Sequence, residues 1–125
     1  MIIAVDTCVL IDFQSGAANR CVSILRENLL SYTVRIAPVV LTEILSNHRL
    51  DKKNQGFFKE ITQLEIYEDY WQRAGETRRI LLKKGLKAKL GDALIAQACI
   101  DNSVPLLTRD SDFSHYAKYC GLRLV

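Results

Sequence analysis

The chain has 125 residues with 17 Lys and Arg against 14 Asp and Glu, a formal charge of +3, and 49% hydrophobic and 25% charged residues. That length holds one domain with a real core and no room for a second, and the balance excludes a disordered chain. No apolar run approaches the roughly 18 residues of a membrane span and no secretory signal is visible, so a cytoplasmic protein without membrane contact is expected.

Ile2-Ile3-Ala4-Val5 is apolar at consecutive positions, as in a strand buried on both faces of a parallel sheet, and it ends in Asp6-Thr7. Val9 to Phe13 begins a short helix that Ser15-Gly16 interrupts. From about Ala18 to Leu30, Cys21, Ile24, Leu25, Asn28 and Leu29 recur at spacings of three and four, which predicts a helix lying on a sheet. Val34 to Ala37 reads as the second strand, and Pro38 suits the first turn of a helix carrying Glu43 among Leu41, Ile44 and Leu45. Asn47 to Asn54 reads as a loop, Phe57 to Leu64 as a helix and Leu64 to Ile66 as a brief edge strand. His48, in that loop, has no second ligand at a metal spacing and reads as a surface residue.

Glu68 to Lys84 is the longest helical stretch, with Trp71 as a core or interface anchor and Gly85 as terminator. After a linker from Leu86 to Leu90, Gly91-Asp92 opens a helix so apolar, Ala93 to Ile100, that it must be buried on most sides. Val104 to Thr108 is a buried strand leading into Arg109-Asp110-Ser111-Asp112-Phe113, and Leu122 to Val125 is a last strand. Strands alternating with helices, without a hairpin signature, predict a parallel α/β sheet covered on both faces. Cys8, Cys21, Cys99 and Cys120 form no C-x-x-C pair and read as reduced, mostly buried thiols, Cys8 included.

Acidic residues stand after the first strand (Asp6), on the helix after the second (Glu43), at the start of the buried helix (Asp92) and beyond the late strand (Asp110, Asp112). Each has an innocent explanation, as a cap or a turn former. In an α/β fold, however, these positions converge on one edge of the sheet, where gathered carboxylates repel one another unless a cation or shared protons compensate. An all-oxygen site suits Mg²⁺ or Mn²⁺ and implies phosphoryl-transfer chemistry. Thr7 and Thr108, each ending an apolar strand, either orient water or phosphate there or serve as turn and cap hydroxyls.

At Val5-Asp6-Thr7, Thr42-Glu43-Ile44-Leu45, Gly91-Asp92-Ala93-Leu94-Ile95-Ala96 and Leu107-Thr108-Arg109-Asp110-Ser111-Asp112-Phe113 the sequence resembles PIN-domain ribonucleases, and most of all the VapC-type toxins of toxin–antitoxin pairs. The resemblance covers nearly the whole chain. It implies a PIN-like three-layer α/β/α domain over residues 1–125 with a mainly parallel central sheet. It also implies that Asp6, Glu43, Asp92 and one or both of Asp110 and Asp112 are catalytic, metal-binding carboxylates of a Mg²⁺- or Mn²⁺-dependent endoribonuclease. A homodimer and a small antitoxin partner are implied as well.

From Arg73 to Lys89 the cations face only Glu76 as a counter-charge. Such a run is either a solvated helix face or a phosphate-binding surface. With RNA as the implied substrate, Arg78, Arg79, Lys83, Lys84, Lys87 and Lys89 become candidate RNA contacts. Two alternatives remain: a catalytically silent PIN-like RNA-binding module, and a phospho-receiver domain, which fares poorly because Asp6 has no adjacent acid and no aspartate ends a strand mid-chain.

Overall fold

The computed structural model describes residues 1–125 as an alternation of four strands and seven helices. In chain order these are β1 (Ile3–Val5), α1 (Thr7–Gln14), α2 (Arg20–Leu30), β2 (Val34–Ile36), α3 (Pro38–Leu45) and α4 (Lys52–Lys59). There follow β3 (Thr62–Gln63), α5 (Tyr70–Lys83), α6 (Leu90–Asp101), β4 (Leu106–Leu107) and α7 (Phe113–Cys120). The sheet runs β3-β2-β1-β4 with every pair parallel, Ile3 opposite Val34, Ala4 opposite Leu106 and Arg35 opposite Thr62. The expected parallel sheet flanked by helices is therefore present.

All three residues of β1 are buried, as a strand with neighbours on both sides and helices on both faces requires. The chain steps outward from β1 to β2 to β3, then returns through α5 and α6 to lay β4 on the other side of β1. The order thus reverses between β1 and β4, and in open parallel sheets ligands bind outside the carboxyl ends of the strands at such a reversal. A flavodoxin-like receiver sheet instead sets its first strand between the second and third. The residues leaving β1 and β4 are Asp6 and Thr108.

Helix α6 is buried at every position from Ala93 to Cys99 except Leu94, and α5 packs along it. The apolar run read as a helix buried on most sides is just that. A half-exposed element must sort its residues by face, whereas α6 need not, and this is why its sequence shows no stripe.

Several expected boundaries shift. Residues 52–54, read as loop, open α4, whose N-cap Asp51 accepts from the Asn54 N–H at 2.8 Å; the helix ends at Lys59 rather than Leu64. The edge strand lies two residues early, at Thr62–Gln63, with the Leu64 N–H still bonding Ile36 O. Trp71 is 69% exposed rather than in the core; Tyr70 takes the buried position, with Ala74 and Leu81 below it and its hydroxyl donating to Leu94 O at 2.5 Å. The last strand reduces to one bridge, Leu124 beside Leu106, and the eight residues before Gly121 form α7, an element the sequence reading did not contain. All four cysteines are free.

Candidate active site

Asp6 is 6% exposed, one of two buried polar residues in the chain. Its Oδ1 accepts the Thr7 N–H at 2.8 Å, at the N-cap position of α1. Its Oδ2 accepts the Thr108 hydroxyl at 2.7 Å and the Cys8 thiol at 3.2 Å. The cap and site readings of Asp6 are therefore compatible, since each oxygen has separate partners. Thr108 Oγ1 also accepts the Asp110 N–H at 3.0 Å, so one hydroxyl ties the end of β1 to the turn that follows β4. Cys8 is more than the buried hydrophobe its sequence context suggested: its thiol is pushed up to about 11 by burial and by the Asp6 charge, and stays a protonated donor. Only the Asp-x-Cys spacing hinted at this contact.

Pro38 starts α3 directly after β2, and Glu43 follows on the second turn of that helix. The residue is exposed, yet its Oε1 accepts the Thr7 hydroxyl at 2.8 Å and its Oε2 lies beside Gly91, 3.6 Å from where a Cβ would sit. Glu43 therefore bridges the start of α1 and the start of α6.

Asp92 lies in the first turn of α6, three residues past the N-cap position held by Lys89, so it is not the cap its position suggested. Its carboxylate meets Asp110 and Asp112, with one oxygen of each within 4.8 Å of the others, all three half-buried. Asp110 also keeps its turn-forming role, accepting the Asp112 N–H at 2.9 Å, and Asp112 stands at the start of α7 without capping it. Both aspartates of the ambiguous pair thus face Asp92. Burial is the main cause that pushes Asp92 up to about 6, followed by the charges of Asp110 and Asp6, with Lys89 opposing and Asp112 adding a smaller push. Asp6 and Glu43 lie outside this tight trio, on the β1 and α3 side of the opening.

Among the basic candidates, Arg79, Lys83 and Lys89 stand free of hydrogen bonds and ion pairs, and Arg79 and Lys83 line an open depression with Gly75, Arg78, Leu82 and Leu90. The Arg78 Nε–H donates to Ala88 O at 2.8 Å, Lys84 lies 4.6 Å above the Tyr119 ring, and Lys87 Nζ sits 3.3 Å from Asp112 Oδ2. Arg109 reaches back to Asp12 on α1 at 2.6 Å, bracing the turn that carries Asp110, a contact across 97 positions that no local pattern announces. His48 is exposed, as expected. An apolar hollow lies elsewhere, among Leu29, Val34, Phe57 and Ile61, and holds no carboxylate cluster.

Three half-buried carboxylates and a buried fourth, with one lysine at ion-pair distance, form a hard, all-oxygen donor set with excess negative charge. A small divalent cation fits that set, supplying the compensation the side chains lack.

The PIN domain family model matches residues 3–119. Among solved structures, the chain is similar to VapBC2 from Rickettsia felis, bound to a DNA fragment from the promoter, with a TM-score of 0.75 and 22% identity over 100% of this chain and 98% of that one. It is also similar to FitAcB from Neisseria gonorrhoeae, with a TM-score of 0.72 and 18% identity over 98% and 96%. At these identities the likeness is one of fold. A search of curated protein sequences found no match.

Proposed function

This chain belongs to the PIN domain family, and from that premise we propose that it is a metal-dependent endoribonuclease and the toxin of a toxin–antitoxin pair. PIN domains are generally nucleases, which makes hydrolysis of nucleic-acid phosphodiesters the premise and RNA the proposal. The observation that carries the reading is the meeting of Asp92, Asp110 and Asp112 within 4.8 Å at the reversal of strand order, beside the buried Asp6.

In this reading Asp6, Asp92, Asp110 and Asp112 hold Mg²⁺ or Mn²⁺, with Glu43 completing the site from its exposed side. When bound, the ion supplies Lewis-acid polarisation of the phosphodiester and a lowered pKa for the attacking water. The rest belongs to the protein. Thr108 fixes Asp6 through one oxygen and the turn of Asp110 through its own, so both acids keep their orientation without substrate. Thr7 holds Glu43 at the mouth of the site, where its free oxygen can accept a hydrogen bond from the attacking water. Arg79 and Lys83 supply phosphate contacts beyond the cut, offsetting the repulsion between RNA and the acidic pocket.

The toxin role rests on the motif resemblance and on the two neighbours of similar fold, both toxin–antitoxin complexes. It brings with it a small antitoxin partner, a homodimer and a cytoplasmic setting. The deciding experiment incubates the purified protein with structured RNAs in Mg²⁺ or Mn²⁺ and in chelator, beside Asp6→Asn and Asp92→Asn. Cleavage only with metal, and lost in both variants, is expected. Cleavage indifferent to chelator, or equal in the variants, refutes the mechanism, and RNA binding without turnover under every condition favours the silent RNA-binding module instead.

A further inference from the structure

The segment joining α5 to α6 is pinned at its middle. Ala88 is buried and its carbonyl accepts the Arg78 Nε–H at 2.8 Å, while Lys87 and Lys89 on either side are exposed. An extended segment alternates its side chains, so burying Ala88 turns both lysines outward. Arg78 is thus a positioning residue for this segment. Of the ion pairs in the protein, Lys87 to Asp112 is the only one that reaches the acidic trio. Lys87 is 60% exposed and Asp112 25%, so this is a long, solvated side chain resting on a more sheltered carboxylate. Such a pair is weak and easily exchanged.

We propose that Lys87 is a built-in counter-ion of the acidic cluster that a divalent cation displaces, and that the released ammonium then binds an RNA phosphate next to the cut. This rests on the metal-dependent ribonuclease reading and adds to it an order of events. An ammonium 3.3 Å from an Asp112 oxygen and a divalent ion held by the same carboxylates repel each other, so the site favours one or the other. Once displaced, Lys87 is still anchored next to Ala88 at the mouth of the site, where the phosphate backbone must pass. The same side chain therefore opposes metal binding and favours RNA binding, and its removal has opposite effects on the two.

Isothermal titration of MnCl₂ into the metal-free protein, paired with cleavage kinetics on a structured RNA at saturating Mn²⁺, separates these effects. The Lys87→Gln variant is expected to bind Mn²⁺ about two- to fivefold more tightly, the range of an exposed ion pair. Its KM for RNA is expected to rise about tenfold, the scale of one lost charge-assisted phosphate contact. The Lys87→Arg variant should restore the KM. The same charge change at Lys59, on the exposed end of α4, should alter neither quantity. Mn²⁺ affinity in Lys87→Gln that is equal to or weaker than the parent overturns the counter-ion role, and an unchanged KM overturns the phosphate role. A separate arm keeps the underlying reading distinguishable: if Asp92→Asn binds Mn²⁺ as well as the parent, the acidic cluster is not the metal site, whichever way Lys87 behaves.

Discussion

Replacing Asp92 by Asn should stabilise the metal-free protein at neutral pH. The carboxyl is pushed from the usual 3.8 up to about 6, first by burial and then by the charges of Asp110 and Asp6. At about 1.4 kcal/mol for each tenfold change, that difference corresponds to about 3 kcal/mol. Solvent screening of a half-buried group reduces it to about 1–2 kcal/mol. Below about pH 4 the group is protonated in both the native and unfolded chains and contributes no penalty. As pH rises toward 6 the unfolded chain releases its proton first, so stability falls across that window, and above it the full penalty is present. Asn keeps the shape and lacks the charge, so the variant loses this slope. In EDTA at pH 7.5 it should melt about 4–8 °C above the parent by circular dichroism, with the gap closing by pH 4. Saturating Mn²⁺ should reverse the order, because ligand binding stabilises only the chain that binds it. A variant that melts below the parent at pH 7.5 in EDTA would refute the reasoning, since Asp92 would then be a net stabiliser of the α6 N-terminus.

The Tyr116 hydroxyl is buried with no hydrogen-bond partner, so Tyr116→Phe should gain roughly 1 kcal/mol in urea denaturation, and a loss would reveal a partner such as a bound water. Asp101 accepts from Arg73 at 2.5 Å and from Gln97 at 2.9 Å, and Gln97 in turn accepts from Thr77; Asp101→Ala should cost about 2 kcal/mol while leaving Mn²⁺ affinity unchanged, and a change in that affinity would tie the α5–α6 network to the site. Because Cys8 is pushed up to about 11 from 9.0, its thiolate fraction at pH 8 is on the order of one in a thousand. Iodoacetamide should leave it unmodified in the folded protein and label it in urea, and rapid labelling of the folded protein would overturn the buried, protonated assignment.

The parts of the fold that were legible are those in which the sequence carries a one-residue signal. Consecutive apolar residues marked β1, Pro38 marked the start of α3, and Gly85 marked the turn after α5. The acids stood out because each lies at or near such an element: Asp6 directly after β1, Glu43 within α3, Asp92 in the first turn of α6 and Asp110 three residues past β4. What was not legible depends on distant partners. β3 has two exposed residues and exists only because Arg35 and Ile36 pair with it, so its period could not be seen. Trp71 outranks Tyr70 in size, but Tyr70 shares the buried face of α5 with Ala74 and Leu81 and its hydroxyl reaches Leu94 O on α6, whereas Trp71 lies one position round the helix. Helix α7 had a faint signal: Phe113 and Tyr116 are three apart and buried, and Gly121 takes the left-handed conformation at φ 83° that ends many helices. The Arg-and-Lys run looked like one surface, whereas Arg73 and Arg78 hold protein groups and Lys87 turns to Asp112.

The acidic cluster and the core meet in α6, and that explains how these carboxylates are held together against their mutual repulsion. Asp92 is followed immediately by Ala93, which is fully buried, and then by Ile95, Ala96 and Ala98, each at most 1% exposed. Turning the helix to carry Asp92 into solvent would drag that apolar surface with it, at about 25 cal/mol for each Å² exposed. A few tens of Å² therefore outweigh most of the 1–2 kcal/mol that ionised Asp92 costs. Asp110 is held in the same way from the other side, by Thr108 at the end of fully buried β4 and by the Arg109 clamp on Asp12. Neither wall can relax without unpacking the sheet, so the repulsion between them stays in place as a standing preference for a cation.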